Sequence, residues 1–372
     1  MSKLNSIAFL LGSGSLALVI YGFFYRRKEQ IKNLYASNLK KRLSLIGLSL
    51  LICVLTIWAG YRFSIGTLAE VEMRPHVAVD RIVGAEGLLH DATYRIIESV
   101  HIPAPELKKG ICDAIERNQD GHLVSFMGDI RKDGWWYFFP IILLLKTPPA
   151  FLLMSAIGLF FISRNTFSQH RAALLRSLLP AISAIGILMI AMLSSVNNGI
   201  RQILAIYPFL AVIAGYGAFL MMLRGGKYKT ISVITIATLL SWQLASSFNA
   251  HPDYLSYFNS LAGNHPEEIL PGSDLDWGQD LKRLSLRLKK RGIETFKFQY
   301  NGSWGMDLDQ FNLPSRKQLE PYKREAGWIA ISVYKLKLGT GEAPYDQFSW
   351  LNEYQPVEKV GKSIWLYRVP EN

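Results

Sequence analysis

The sequence predicts an α-helical polytopic membrane protein of about six transmembrane helices with a C-terminal extracytoplasmic α/β domain. Three observations carry that expectation. Six apolar stretches approach the ~20 residues that a helix needs to cross a bilayer core: 6–24, 43–60, 137–162, 177–196, 203–223 and 230–248. Basic residues are divided unevenly among the segments between them. Beyond residue 249 the long apolar runs give way to short alternating helix and strand patterns.

The chain has 372 residues, half of them apolar, and a net charge of +12. The first apolar stretch does not read as a secretory signal. Only Lys3 precedes it, and the basic cluster Arg26, Arg27, Lys28 follows it. Loop 25–42 holds seven Lys/Arg, and loops 163–176 and 224–229 hold three each, with Glu29 as the one acid among them. By the positive-inside rule these loops are cytoplasmic. Segment 61–135 has nine basic and twelve acidic residues, and the tail 249–372 has sixteen of each, so both belong outside. The net charge is therefore mostly a topology signal, and no nucleic-acid motif accompanies it.

Four regions follow. Residues 1–60 hold two spans and a basic cytoplasmic loop. Residues 61–135 form an extracytoplasmic loop, in which "DATYRIIESVHI" and "HIPAPELKKGICDAIERN" read as helices lying on the membrane surface, with Pro103 and Pro105 as breakers. Residues 136–248 hold four spans. Residues 249–372 form the α/β domain. There "DLDWGQDLKRLSLRLKKRG" reads as a helix whose Leu281, Leu284 and Leu288 share a face, with Gly292 at its C-terminal cap. "TFKFQYNG", "GWIAISVYKL" and "KSIWLYRV" read as strands. Cys53 and Cys112 read as packing residues, not as a disulfide framework.

The run "GWWYFFPIILLLKTPPAFLLM" (134–154) sets a physical problem. Its lysine, Lys146, lies inside an apolar span, where insertion scales charge ~2.5–3.5 kcal/mol for a lysine. Segment 137–162, as one straight helix, would be roughly 39 Å long, against a core of ~30 Å. Pro148 removes a backbone donor and Pro149 disfavours helix at Pro148, so a break is expected near 146–149. Broken backbone at that depth survives only against protein or a wet cavity. Lys146 then either meets an anionic phosphate at a cavity mouth or snorkels at a kink anchored by Trp135 and Trp136.

Four strings occur in order: "GWWYFFPIILLLKTP" at 134–148, "NNGIRQILAIYPFLAVIAG" at 197–215, "HPDYLSYFNSLAG" at 251–263 and "DLDWGQDLKRL" at 274–284. Together they resemble the C-terminal half of bacterial family 39 glycosyltransferases of the GT-C class, relatives of the dolichyl-phosphate-mannose–protein mannosyltransferases. The resemblance covers most of the chain, from the second span onward. It implies a GT-C-like fold in the inner membrane and a polyprenyl-phosphate sugar used as substrate on the outer face. It also implies membrane lipid and lipid-linked sugar as partners. The family's catalytic acid lies in the first outer loop, after the first span. Here a basic cytoplasmic loop follows the first span, and no acidic pair is found. The expectation is therefore a fragment, a catalytic half on a separate polypeptide, or a non-catalytic accessory relative. Smaller departures are Gln202, where the family has an aromatic residue or His, and Ala205, where it has Pro.

On this resemblance Lys146, Arg201, Asn198 and Tyr207 are the candidates for the lipid-phosphate side. Arg201 follows the turn Asn197-Asn198-Gly199, and its planar fork of donors suits phosphate; the alternative is an interfacial arginine on headgroups, with Asn198 shaping the turn. His251, Asp253 and Tyr254 either face substrate or anchor the chain at the interface, the anchoring reading being the commoner one. Asp274 and Asp276, with Asp280, form Asp-x-Asp-x-Gly-x-Asp. Its glycine is one place early for a calcium loop and no Glu stands at position twelve. A divalent metal is accordingly not expected, and the acids read as the dipole-favoured, capping start of a helix. No cofactor is implied. No residue is assigned the role of base for the acceptor. A transporter is disfavoured by the lack of internal repeats.

Overall fold

The computed structural model describes residues 39–67, 99–166, 171–301 and 307–371, with isolated helical positions between 93 and 96. The expected span 6–24 lies outside them, as do five of the twelve residues of the expected helix at 91–102. The chain divides into two compact units, residues 1–8 with 18–119, and residues 9–17 with 120–372.

In the first unit, helix α1 (Leu39–Gly60) covers the expected second span. A short antiparallel pair follows, β1 (Ile65–Thr67) and β2 (His101–Pro103). Helix α2 (Pro105–Asp120) begins on Pro105, whose missing N–H costs nothing in a first turn. The Ser64 hydroxyl donates to the Glu106 carboxylate at 2.7 Å.

The second unit starts with the hairpin β3 (Val124–Phe126) and β4 (Asp129–Arg131). Helix α3 (Phe138–Lys146) ends at Lys146, and α4 (Pro149–Thr166) resumes at Pro149. The two are bent by 112° across Thr147 and Pro148, so the expected break is present, sharp enough for a broken span or a re-entrant loop. Helices α5 (Arg171–Met192), α6 (Ile206–Arg224) and α7 (Lys229–Asn249) follow. Among the described residues, two helical stretches are long and apolar enough to cross a membrane, Ile206–Leu223 and Gly226–Asn249, and the bent pair makes up to three. The molecule is thus mostly helical, with apolar spans and a separate sheet region.

A one-turn helix α8 (Pro266–Ile269) leads to the tail. Its five-stranded mixed sheet has the order β6-β5-β7-β9-β8, from β5 (Thr295–Gln299), β6 (Ser315–Gln318), β7 (Gly327–Ser332), β8 (Glu358–Val360) and β9 (Ile364–Val369). The β5 strand is parallel to both β6 and β7, while β9 is antiparallel to β7 and β8. Helix α9 (Leu281–Lys290) lays Leu281, Leu284 and Leu288 on one face, against Phe296, Phe298 and Leu366. The other face packs Ile329, Ile331 and Tyr367 against Phe348, Trp350 and Leu351. The expected single strand "GWIAISVYKL" is divided: after Ser332 the chain turns into helix α10 (Val333–Leu338), because the Ser332 hydroxyl oxygen accepts the Lys335 N–H as an N-cap. The expected helix start at Asp274 is also displaced, since 271–280 is an irregular loop and α9 opens only at Leu281.

An aromatic-rich core of Phe126, Trp135, Phe138, Phe139, Ile142, Ile203 and Leu270 binds the hairpin, α3 and the start of the tail together. It sets the frame for the site.

Candidate functional site

Segments distant in sequence meet around the turn 197–201. The buried Asn197 accepts the Trp135 N–H at 2.6 Å, which ties the turn to the entry of α3. Asn198 accepts the Ser273 hydroxyl at 2.5 Å on its Oδ1, which ties it to the tail. Gln202 closes the turn by accepting the Asn198 N–H at 3.1 Å. Gly199 has φ +87°, and a Cβ there would stand 2.6 Å from the Asp274 carboxyl carbon. Only glycine serves both demands.

That turn presents Arg201 into a cleft of about 320 Å³, lined among others by His122, Asn198, Arg201, Asp276, Trp277 and Asn301. The Arg201 guanidinium lies over the Trp277 ring, 4.4 Å from its centroid, a contact worth roughly 0.5–2 kcal/mol. Among the described residues no carboxylate or carbonyl accepts a hydrogen bond from it. Trp277 is held in turn by donating its indole N–H to the Ser273 carbonyl at 2.5 Å.

Asp276 also lines the cleft. Its Oδ1 accepts the Gly278 N–H and the Tyr300 hydroxyl, each at 2.9 Å. Its Oδ2 is sealed from solvent without a hydrogen-bond partner among the described residues. Burial, assisted by the like charge of Asp280, pushes its carboxyl up to about 6, against the lowering effect of Gly278, Tyr300 and the Ser363 hydroxyl nearby.

The other predicted residues stand elsewhere. Lys146 does not line this cleft. It is buried, donates to the Leu255 and Asp274 main-chain carbonyls at 2.8 Å each, and lies 4.4 Å from the Phe258 ring centroid. Both acceptors are provided by the tail. Tyr207 is hydrogen-bonded to the Thr147 hydroxyl at 2.8 Å and does not line the cleft. Asp274 is a buried strut whose carboxylate accepts the Ile200 N–H at 2.9 Å, with its carboxyl pushed up by burial. Asp253 pairs with Arg283 at 2.6 Å and lines a second cavity of about 310 Å³ beside Trp242 and Lys362. His251 and Tyr254 touch edge to face at 5.7 Å, and neither reaches the cleft.

The third acid of the string, Asp280, stands at the N-cap position of α9 but does not cap it. Its Oδ2 instead accepts the Lys362 and Ser363 N–H groups at 3.0 and 3.1 Å and the Ser363 hydroxyl at 2.8 Å, while Arg283 donates to Oδ1. The capping role expected of these acids is replaced by a cross-link to the β8–β9 turn. Among the described residues no group of three or more His, Cys, Asp or Glu is arranged to hold a metal.

Sequence reasoning missed His122, Trp277 as a stacking partner, and Asn301. His122 is a lone histidine in a loop and carries no spacing signal; only its position just before the hairpin and the "GWWYFFP" run pointed toward the outer face. The chain matches no family model, no curated protein and no solved structure.

Proposed function

We propose that the chain is a membrane glycosyltransferase, or the C-terminal half of one. It transfers sugar from a polyprenyl-phosphate donor to an acceptor on the outer face of the inner membrane. In this reading six helices span the bilayer, and the α/β tail and the cleft lie outside. The family resemblance supplies the reaction class. The supporting observation is Arg201: a half-buried guanidinium that feels the Asp274 charge but donates no hydrogen bond to a carboxylate among the described residues, stacked on Trp277 in a cleft at the entrance of an apolar helix. A planar cation at that place suits a phosphate whose lipid tail runs along the helix. It offsets the charge that accumulates on the phosphate as the glycosidic C–O bond breaks.

A non-catalytic accessory role has one observation in its favour. Asp276, the carboxylate lining the cleft, has one oxygen engaged by two donors and the other sealed, so it presents no free oxygen to an acceptor hydroxyl.

Equilibrium binding of a labelled polyprenyl-phosphate sugar to the full chain in detergent, followed by transfer assays in vesicles, tests both. Arg201→Gln is expected to weaken binding by about tenfold or more, the scale of a lost charge-assisted pair. Unchanged binding would sink the phosphate assignment. Transfer by the isolated chain would exclude the accessory role, while binding without transfer fits either that role or a half-enzyme.

A further inference from the structure

We propose that His122 is the second pole of the anion site opened by Arg201, so that binding a phosphate group draws a proton onto its imidazole. The inference rests on the reading of the cleft as a phosphate site and adds a residue and a proton to it.

His122 is placed by its backbone. Its N–H donates to the Lys132 carbonyl at 2.8 Å, just outside the β3–β4 pairing. Gly121 before it has φ +72°, and a Cβ there would run into that same carbonyl. The ring therefore projects at the cleft mouth from a fixed main chain. Like Arg201, it has no side-chain hydrogen bond or ion pair among the described residues. The turn 197–201 and segment 121–123 thus bring a guanidinium and an imidazole, neither with a side-chain hydrogen bond among the described residues, to one cavity.

Partial burial, and then the nearby Arg201 charge, hold the imidazole below its ordinary value. Both influences favour the uncharged imidazole. An anion bound beside Arg201 reverses the second influence, because a negative neighbour favours the imidazolium. By linkage, whatever raises the proton affinity on binding makes binding stronger as pH falls. The other titratable groups lining the cleft are Asp276, from the 271–280 loop, and Tyr334, from α10; Asp274 lies behind Arg201. Protonation of Asp276 also favours an anion, so the two must be separated.

The probe is a farnesyl methyl phosphodiester, whose single charge does not titrate near neutrality. Its binding to the full chain in detergent is measured by calorimetry from pH 5.5 to 8, in buffers of different ionisation heat. Affinity is expected to rise about three- to tenfold over that range on acidification, with uptake of a fraction of a proton. His122→Gln should remove most of the uptake and of the rise, while Asp276→Asn should retain most of both. Wild-type uptake persisting in His122→Gln overturns the proposal, and its loss in Asp276→Asn would reassign the proton. Binding that is independent of pH overturns this inference alone. No binding at any pH overturns the phosphate reading with it.

Discussion

Asp274, Asp276 and Asp280 fall within seven residues, yet each has a different task. Asp274 holds a turn 74 residues upstream, Asp280 holds a turn 82 residues downstream, and Asp276 lines the cleft. Their spacing in the sequence carried none of this, because what distinguishes them is long-range donors: the Ile200 N–H, the Tyr300 hydroxyl and the Ser363 main chain. Arg201, Asn198 and Asp276, singled out by the four strings and their resemblance, share one cavity. Lys146 shows the complementary limit. A cation in an apolar run requires acceptors, but the sequence does not say whether a ligand or the protein supplies them. The raised carboxyl of Asp276 has a measurable consequence. An unfolded aspartate titrates at ~3.9, and Asp276 in the fold at about 6. Between those values the folded chain holds a proton that the unfolded chain has lost, so stability falls as pH rises through the window. Asp276→Asn does not ionise. The melting temperature of the variant minus that of wild type should therefore climb from about pH 4 to pH 7, by the equivalent of roughly 1–3 kcal/mol. A difference that stays flat across this range would show that Asp276 titrates normally.

At the scale of elements, α4 and α6 pack through glycine. A Cβ at Gly217 would fall on the Gly158 main chain, and one at Gly158 on the Ile213 carbonyl. Small residues let helix backbones approach this closely where no solvent drives them together. Gly215, on the same helix, has nothing within 4 Å of its Cβ position. Gly217→Ala is expected to cost about 1–3 kcal/mol through forced separation of the helices. Gly215→Ala should be neutral or stabilising by up to ~1 kcal/mol, through helix propensity alone. Equal melting temperatures for the two variants in the same detergent would refute the close-packing argument. Elements with strong local signals were legible: the leucine face of α9, and the break enforced by Pro148 and Pro149. The division of β7 from α10 was not, because an apolar run of ten residues fits a strand and a short buried helix equally well. The deciding contact is one hydroxyl, that of Ser332 on the Lys335 N–H.

At the scale of the molecule, connectivity constrains where the cleft can open. Helices α6 and α7 are joined by a tight turn, in which the Tyr228 N–H donates to the Gly225 carbonyl at 2.6 Å. Two consecutive spans linked this closely return the chain to the side it left. Arg201 precedes the first of them and the tail follows the second, so both emerge on one face whichever face that is. Charge then chooses the face. The turn carries Arg224, Lys227 and Lys229 without an acid, while the tail is balanced. On the proposed topology the basic turn lies in the cytoplasm and the tail outside. With Cys53 and Cys112 changed to serine, cysteines at the exposed positions Lys227 and Lys289 read this directly. An impermeant maleimide added to sealed right-side-out vesicles should label Lys289→Cys and spare Lys227→Cys. Inverted vesicles should give the opposite. Labelling of both positions from one side would break the hairpin of spans, and the reversed pattern would move the cleft to the cytoplasm. In that case a donor presented on the outer face could not reach Arg201.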